Sequence, residues 1–64
     1  MVKVLVVDDS SFIRRAITSS LETDPDIHVV GEAGDGQQAM ALVEQLHPDV
    51  ITMDLNGFCL QGQQ

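Results

Sequence analysis

Aspartates follow two short apolar runs of this sequence. Asp8 and Asp9 come directly after residues 2–7, and Asp54 comes directly after residues 50–53. Short runs rich in Val and Ile predict strands buried on both faces of a parallel sheet. If these strands are neighbours, about 4.8 Å apart, their carboxylates repel one another by up to about 4 kcal/mol per pair at contact, for an effective dielectric near 20. A fold that keeps such acids together usually binds a cation, so the first hypothesis is an acidic metal site.

Composition restricts the kinds of partner. The 64 residues contain 10 acids and 3 bases, a net charge of −7, which argues against electrostatic binding to nucleic acid or to an anionic membrane. A chain of this length forms at most one domain and buries only about 60% of its unfolded surface. Cys59 is the one cysteine, so an internal disulfide is impossible. Neither a signal peptide nor an apolar stretch of about 18 residues is evident, and we expect a soluble, cytoplasmic protein.

Two amphipathic helices are predicted between the strands. The first spans about residues 10–23, and Asp9, Ser10 and Ser11 are all plausible caps for it. The second opens at Asp35, which has capping-box spacing with Gln38. It closes before Pro48. The apolar positions at helical spacing are Phe12, Ile13, Ala16, Ile17 and Leu21 in the first helix and Ala39, Leu42, Val43 and Leu46 in the second.

A short strand at residues 27–30 and a loop at 31–36 complete the order β1, α1, β2, α2, β3. Strands that alternate with helices predict an α/β fold with parallel pairing and right-handed crossovers. If the two helices cross on opposite sides of β1, the sheet order is 2-1-3. Ligands of such doubly wound sheets bind at the carboxyl ends of the strands where the winding reverses. Here that point lies between β1 and β3, beside Asp8, Asp9 and Asp54.

At these residues the sequence resembles the receiver domains of two-component response regulators, which have a flavodoxin-like fold. The resemblance runs from Val2 to about Asn56 and covers only about the first half of a receiver, so residues 1–56 are predicted to form a partial receiver domain. Residues 8–15 and 24–27 are most similar to the receivers of chemotaxis methylesterases. The matching motifs are Val4-Leu5-Val6-Val7-Asp8-Asp9-Ser10 with Arg14, Gly31-Glu32-Ala33, Asp35-Gly36, and Pro48-Asp49-Val50-Ile51-Thr52-Met53-Asp54.

The resemblance implies a phospho-accepting signalling module without enzymatic activity of its own. Asp54 would take a phosphoryl group from a sensor histidine kinase or a small acyl phosphate. Asp9, Asp54 and the backbone carbonyl of Asn56 would bind Mg²⁺ directly, and Asp8 would act through metal-bound water. Independently of the family, Mg²⁺ suits one or two carboxylates together with phosphoryl oxygens. Phosphoryl transfer depends mainly on positioning and on neutralising charge.

The sequence departs from the family after Asn56. Residues 57–64 are predicted to be a loop or frayed tail, and neither the switch hydroxyl nor the phosphoryl-binding lysine of receivers has an equivalent here. Lys3 lies at the wrong end of β1, and Arg14 and Arg15 lie on the first helix with side chains that can face water. The chain therefore resembles a truncated or frameshifted receiver, which we expect not to signal by itself.

The sequence leaves two other functions open. The chain could be an interaction module that pairs with another molecule, such as a second copy, through an exposed β3 edge. A Mg²⁺-dependent aspartyl phosphatase is less favoured, because that chemistry uses two acids separated by one residue. Simpler interpretations apply to the remaining polar and glycine residues: Asp24 and Asp26 as turn residues, Asp49 as a loop acid, Gly31, Gly34 and Gly36 as turn glycines, and His28 and His47 as too far apart to share a metal.

Overall fold

The computed structural model describes residues 1–54, excluding the side chain of Asp54. Its elements are β1 (Val2–Asp8), α1 (Ser11–Leu21), β2 (Ile27–Ala33), α2 (Gly36–Leu46) and β3 (Val50–Asp54). Both neighbours pair with β1 in parallel, and the strand order is β2-β1-β3. The predicted α/β fold and the 2-1-3 order are therefore confirmed. The predicted domain boundary at residue 56 and the tail 57–64 lie outside the described residues.

The central strand β1 forms the middle of the core. Its residues 4–7 are at most 3% exposed, as expected for a strand with a neighbour on each edge. Side chains alternate between the faces of the sheet. The main cluster lies on the α2 face, where α2 packs on β1 and β2. It is formed by Leu5, Val7, Ala33 and Ala39, with Leu42 and Val43 packed against it.

Strand β2 is longer than predicted, because residues 31–33 belong to the strand and not to a loop. The register passes from Val4–Val29 to Leu5–Gly31, which leaves Val30 as the extra residue of a bulge. A Cβ on Gly31 would lie 2.9 Å from the Leu46 Cδ1 atom of α2. Gly31 is thus a site of close approach between strand and helix, and the prediction that it serves a turn is wrong.

The helix ends agree with the capping signals of the sequence. The Ser10 hydroxyl accepts a hydrogen bond from the Ile13 N–H at 3.3 Å, so Ser10 is the cap of α1. Asp35 caps α2 by accepting from the Gln38 N–H at 2.8 Å. At the other end, His47 adopts a left-handed conformation with φ of 49° immediately before Pro48. As predicted from Pro48, α2 therefore ends just before this proline.

Apolar surface on α1 and β3 is more exposed than the sequence predicted. Phe12 is 78% exposed, and no residue of α1 is fully buried. On β3, Val50, Ile51 and Met53 are 40–46% exposed. For β3 the reason is geometric: both helices pack on β1 and β2, and within residues 1–54 neither contacts β3. The expectation that β3 is buried on both faces is wrong for the described part of the chain.

Candidate functional site

The acids at the ends of β1 and β3 lie at one edge of the sheet. Asp8 and Asp54 are register partners in the parallel β1–β3 pair. Both occupy the carboxyl end of their strand, on either side of the point where the winding reverses. The spatial premise of the sequence analysis is therefore confirmed at the level of the backbone. Asn56, the third predicted metal ligand, lies outside the described residues.

The Asp8 side chain is buried, with only 3% exposure. Its Oδ1 accepts a hydrogen bond from the Ser10 N–H at 2.9 Å. Among the described residues, no Lys or Arg lies within ion-pair distance of this carboxylate. A buried charge is unfavourable unless it is paired or coordinates a metal. The acids at this end of the sheet offer only oxygen atoms as ligands, and the Asp8 carboxylate has no cationic partner among the described residues. Such a set of ligands fits a hard cation such as Mg²⁺.

Asp9 differs from Asp8 in its surroundings. It follows β1 and is exposed. Its neighbour Ser10, rather than Asp9, caps α1, so the alternative that Asp9 serves as the helix cap is excluded. The Ser10 carbonyl also accepts the Arg14 N–H at 2.9 Å. Asp9 therefore lies between two residues whose positions are set by hydrogen bonds, at the same edge of the sheet as Asp8.

Sequence reasoning missed the contacts of Arg14. Its Nη1 donates a 2.6 Å hydrogen bond to the backbone carbonyl of Asp8, and its Nε lies 3.4 Å from Glu32 Oε1. The Thr18 hydroxyl donates to Glu32 Oε2 at 3.2 Å. The prediction that Arg14 can face water is wrong. One signal was present in the sequence, because Arg14 belongs to the motif that begins at Asp8.

The remaining sequence-predicted polar residues lie elsewhere. Asp24 accepts from the Asp26 N–H at 2.9 Å, so this pair forms the expected turn. His28, on β2, is the register partner of Lys3 on β1, whereas His47 follows α2. Among the described side chains, no group of three or more His, Cys, Asp or Glu is close enough to hold a metal ion, and the Asp54 side chain is not among them.

Lys3 and Asp49 meet at the opposite end of β1. The Asp49 Oδ2 accepts from the Lys3 N–H at 2.9 Å, and the Asp49 N–H donates to the Lys3 carbonyl at 2.8 Å. Asp49 is therefore more than the loop acid that the sequence indicated, because it connects the entry of β3 to β1. Lys3, as predicted, is far along the strand from Asp8. No helix within residues 1–54 has the length and apolar character needed to cross a bilayer.

Residues 4–58 match the family described as response regulator receiver domain. The chain belongs to this family. A solved structure, the response regulator domain of Thermotoga maritima CheB, has 48% sequence identity and a TM-score of 0.82 over 84% of this chain and 40% of that chain.

Curated relatives show the same likeness. The chain is 56% identical over 61 residues to protein-glutamate methylesterase/protein-glutamine glutaminase 2 of Photobacterium profundum. The aligned region covers 95% of this chain and 16% of the relative. The chain is 59% identical over 54 residues to the corresponding protein of Alkalilimnicola ehrlichii, over 84% of this chain and 14% of the relative. The predicted resemblance to receivers of methylesterases is confirmed. Because the chain spans about a sixth of the Photobacterium relative, the enzymatic activity in these names is a property of those longer proteins.

Proposed function

We propose that this receiver chain accepts a phosphoryl group on Asp54 with the help of Mg²⁺. In this proposal Asp9, Asp54 and the Asn56 carbonyl bind the ion directly, and Asp8 acts through a metal-bound water. The observation that supports it most is the register pairing of Asp8 with Asp54 at the carboxyl ends of adjacent parallel strands. The buried Asp8 carboxylate, without a cationic partner among the described residues, adds to the case.

The proposed reaction needs little beyond correct placement. A carboxylate oxygen of Asp54 attacks the phosphorus of a phosphohistidine or an acyl phosphate and forms a new P–O bond. The P–N or P–O bond to the donor breaks, and its electron pair leaves with the imidazole or the carboxylate. Mg²⁺, when bound, neutralises charge on the phosphoryl oxygens. The residues of this chain hold the carboxylates at the sheet edge.

The basic residues of the chain limit how well it accepts phosphate. Lys3, Arg14 and Arg15 are the three bases of the sequence. Lys3 lies at the other end of β1, and the Arg14 guanidinium contacts the Asp8 carbonyl and Glu32. Charge stabilisation at the position of the transferred group is a large part of such catalysis. We therefore propose that the 64 residues alone accept phosphate slowly and do not signal by themselves.

The proposed partners follow from this chemistry. A sensor histidine kinase or a small acyl phosphate would donate the phosphoryl group in a two-component phosphorelay of the cytoplasm. The curated relatives are named protein-glutamate methylesterases, and the similar solved structure is the response regulator domain of a CheB protein. We propose that this chain likewise serves chemotaxis signalling. The net charge of −7 disfavours nucleic acid and anionic membranes as partners of this segment.

Magnesium binding is the most direct test. Amide resonances of the ¹⁵N-labelled chain are followed during addition of Mg²⁺, in the wild type and in Asp9→Asn. We expect shifts concentrated at residues 8–10 and 54–56, and a much weaker response in the variant. Asp26→Asn is the matched control, because it removes one acid in the turn before β2. Shifts spread evenly over the acidic surface, or equal affinities in all three proteins, would contradict the site.

Phosphorylation is tested with acetyl phosphate and Mg²⁺, followed by hydroxylamine treatment and mapping of the modified peptide by mass spectrometry. Modification is expected at Asp54, and it should disappear in Asp54→Asn. To place the described residues in the context of a longer receiver, residues 4–54 replace the matching part of the Thermotoga domain, of which this chain covers 40%. We expect much faster labelling of this hybrid than of the 64-residue chain. Label at another residue in either protein would refute the assignment of Asp54.

A second candidate function is pairing of two copies through β3. Within residues 1–54, β3 has a strand partner only on its β1 side, and its apolar side chains are substantially exposed. An exposed apolar edge strand favours pairing with another chain. Sedimentation at increasing concentration should show a dimer that Met53→Lys weakens and Met40→Lys, on the exposed surface of α2, does not. A monomer at every concentration would rule this candidate out.

A further inference from the structure

Three side chains connect α1 to β2 beside the acidic edge of the sheet. Arg14 donates from Nη1 to the Asp8 carbonyl at 2.6 Å. Its Nε is 3.4 Å from Glu32 Oε1, and Glu32 Oε2 accepts from the Thr18 hydroxyl at 3.2 Å. We call Arg14, Thr18 and Glu32 the arginine clamp. It links the end of β1 to the neighbouring strand and to the helix packed on both.

We propose that Arg14 is a positioning residue for the divalent-ion site, and that Glu32 and Thr18 hold its guanidinium in place. The proposal rests on the proposed function, because it concerns the same acids. Arg14 would touch neither the ion nor the phosphoryl group. It would act through the Asp8 carbonyl, which belongs to the peptide unit that joins Asp8 to Asp9.

The geometry explains how one hydrogen bond can influence two carboxylates. A peptide unit is planar, so fixing its carbonyl direction also fixes the direction in which the chain enters Asp9. On the other side, Asp8 is fixed by the strand and by the Ser10 N–H. Asp9 itself is exposed, so without the Arg14 contact to the preceding carbonyl its direction would be less restricted. Partners that orient metal ligands in this way typically change metal affinity by about 10- to 100-fold when removed.

Gly34 leaves space for the clamp. A Cβ at this position would lie 3.3 Å from Arg14 Nη1 and 3.5 Å from Gln38 Oε1. The Gln38 side chain also accepts from the Gly34 N–H at 2.8 Å. The start of the β2–α2 connection is therefore held against the guanidinium. The Gly34 backbone thus limits the movement of the guanidinium near Nη1, and the Glu32 carboxylate limits it at Nε.

Electrostatics and positioning predict opposite results for Arg14, which makes the proposal testable. A guanidinium repels a divalent cation nearby, so removing its charge would tighten Mg²⁺ binding if charge were its only effect. If Arg14 positions the acids, removing it weakens binding in spite of the lost repulsion. Mg²⁺ demands near-octahedral geometry, whereas Ca²⁺ tolerates irregular coordination. Loss of positioning should therefore weaken Mg²⁺ more than Ca²⁺.

The experiment measures Mg²⁺ and Ca²⁺ affinities of the 64-residue chain by amide chemical shifts. Arg14→Met is compared with Arg15→Met, which removes the same charge from the next, exposed position of α1. We expect Arg14→Met to bind Mg²⁺ about tenfold more weakly, with a smaller loss for Ca²⁺. Arg15→Met should bind both ions as well as wild type or slightly better. Arg14→Lys should recover part of the Mg²⁺ affinity.

A second measurement needs no ion. Hydrogen exchange of the Ser10 amide, which donates to Asp8, should become faster in Arg14→Met than in Arg15→Met under native conditions. If Arg14→Met does not fold, Glu32→Gln takes its place. Glu44→Gln is then the control, because it removes an equal charge from an exposed position of α2. Glu32→Gln should weaken Mg²⁺ binding more than Glu44→Gln does.

The outcomes separate this proposal from the proposed function. A wild-type chain that binds no Mg²⁺ overturns the proposed metal site, whereas the exchange of the Ser10 amide still measures what Arg14 does to the loop. A wild-type chain that binds Mg²⁺, with Arg14→Met binding as tightly as Arg15→Met, overturns the positioning role alone. An unchanged ratio of Mg²⁺ to Ca²⁺ affinity in Arg14→Met has the same consequence.

Discussion

Replacing the buried acid Asp8 by asparagine should stabilise the ion-free chain. Asparagine has the same shape and retains the oxygen that accepts the Ser10 N–H. It removes a charge that is 3% exposed and lies in register with Asp54. At the strand spacing of about 4.8 Å, two unit charges repel by about 3.5 kcal/mol with an effective dielectric of 20 and by about 0.9 kcal/mol with that of water. We expect a gain of about 1–3 kcal/mol in the free energy of unfolding without Mg²⁺.

The same substitution should reduce the stabilisation that Mg²⁺ provides. An ion that binds only the folded chain contributes about 1.4 kcal/mol at a concentration about ten times its Kd. If Asp8→Asn weakens binding about tenfold, as loss of a partner that orients bound water typically does, that contribution falls to about 0.4 kcal/mol at the same concentration. The variant therefore gains stability in EDTA and responds less to Mg²⁺.

Urea unfolding followed by circular dichroism, with EDTA or with Mg²⁺, measures both effects. Asp35→Asn is the matched control, because asparagine caps a helix about as well as aspartate and the net charge changes equally. The control should differ little from wild type in either condition. Two results would refute the reasoning: an Asp8→Asn chain that is less stable than wild type in EDTA, or one that Mg²⁺ stabilises as much as wild type.

Three further predictions concern the fold that holds the site. Leu5→Ala should lower the free energy of unfolding by about 2–5 kcal/mol, because Leu5 is fully buried in the main cluster; urea unfolding measures the loss. Gly31→Val should cost about 1–3 kcal/mol by overpacking against Leu46, whereas Gly31→Ala should cost less, because only the tip of that leucine must move. Asp35→Ala should lower the helix content and reduce the free energy of unfolding by about 1 kcal/mol, because the Gln38 N–H loses its acceptor. Circular dichroism measures the helix content directly and the free energy through urea unfolding.

Local patterns explain why so much of the fold was predictable. The α/β class and the parallel pairing follow from the alternation of apolar runs and amphipathic helices, and the handedness of crossovers then leaves few strand orders. The order 2-1-3 is the one in which the two helices cross on opposite sides of β1. The caps at Ser10 and Asp35 follow from side chains that satisfy helix N–H groups. The convergence of Asp8 and Asp54 then follows from parallel pairing. Each of these inferences needs only residues close in sequence, or the general geometry of parallel sheets.

The features that sequence reasoning missed depend on distant contacts. Helical spacing places Arg14 on the same side of α1 as Ile17 and Leu21, but only the packing shows that it contacts β1 and β2 while Arg15 is exposed. The strand position of Gly31 depends on how closely α2 approaches β2. The exposure of β3 depends on which strands the helices cover. In all three cases the amino-acid type permits several environments, and the packing of elements far apart in sequence selects one.

Contacts at both ends of β1 help to fix the position of Asp8 at the carboxyl end of the sheet. At the amino end, Asp49 forms two hydrogen bonds with the Lys3 backbone, one rung before the Val4–Val50 pair. At the carboxyl end, Arg14 binds the Asp8 carbonyl. A shift of the β1–β3 register by one residue would turn the side chains to opposite faces and separate Asp8 from Asp54. The Lys3–Asp49 pair therefore restrains β1 against β3, whereas the arginine clamp restrains the carboxyl end of β1 against α1 and β2. The proposed metal site depends on both alignments.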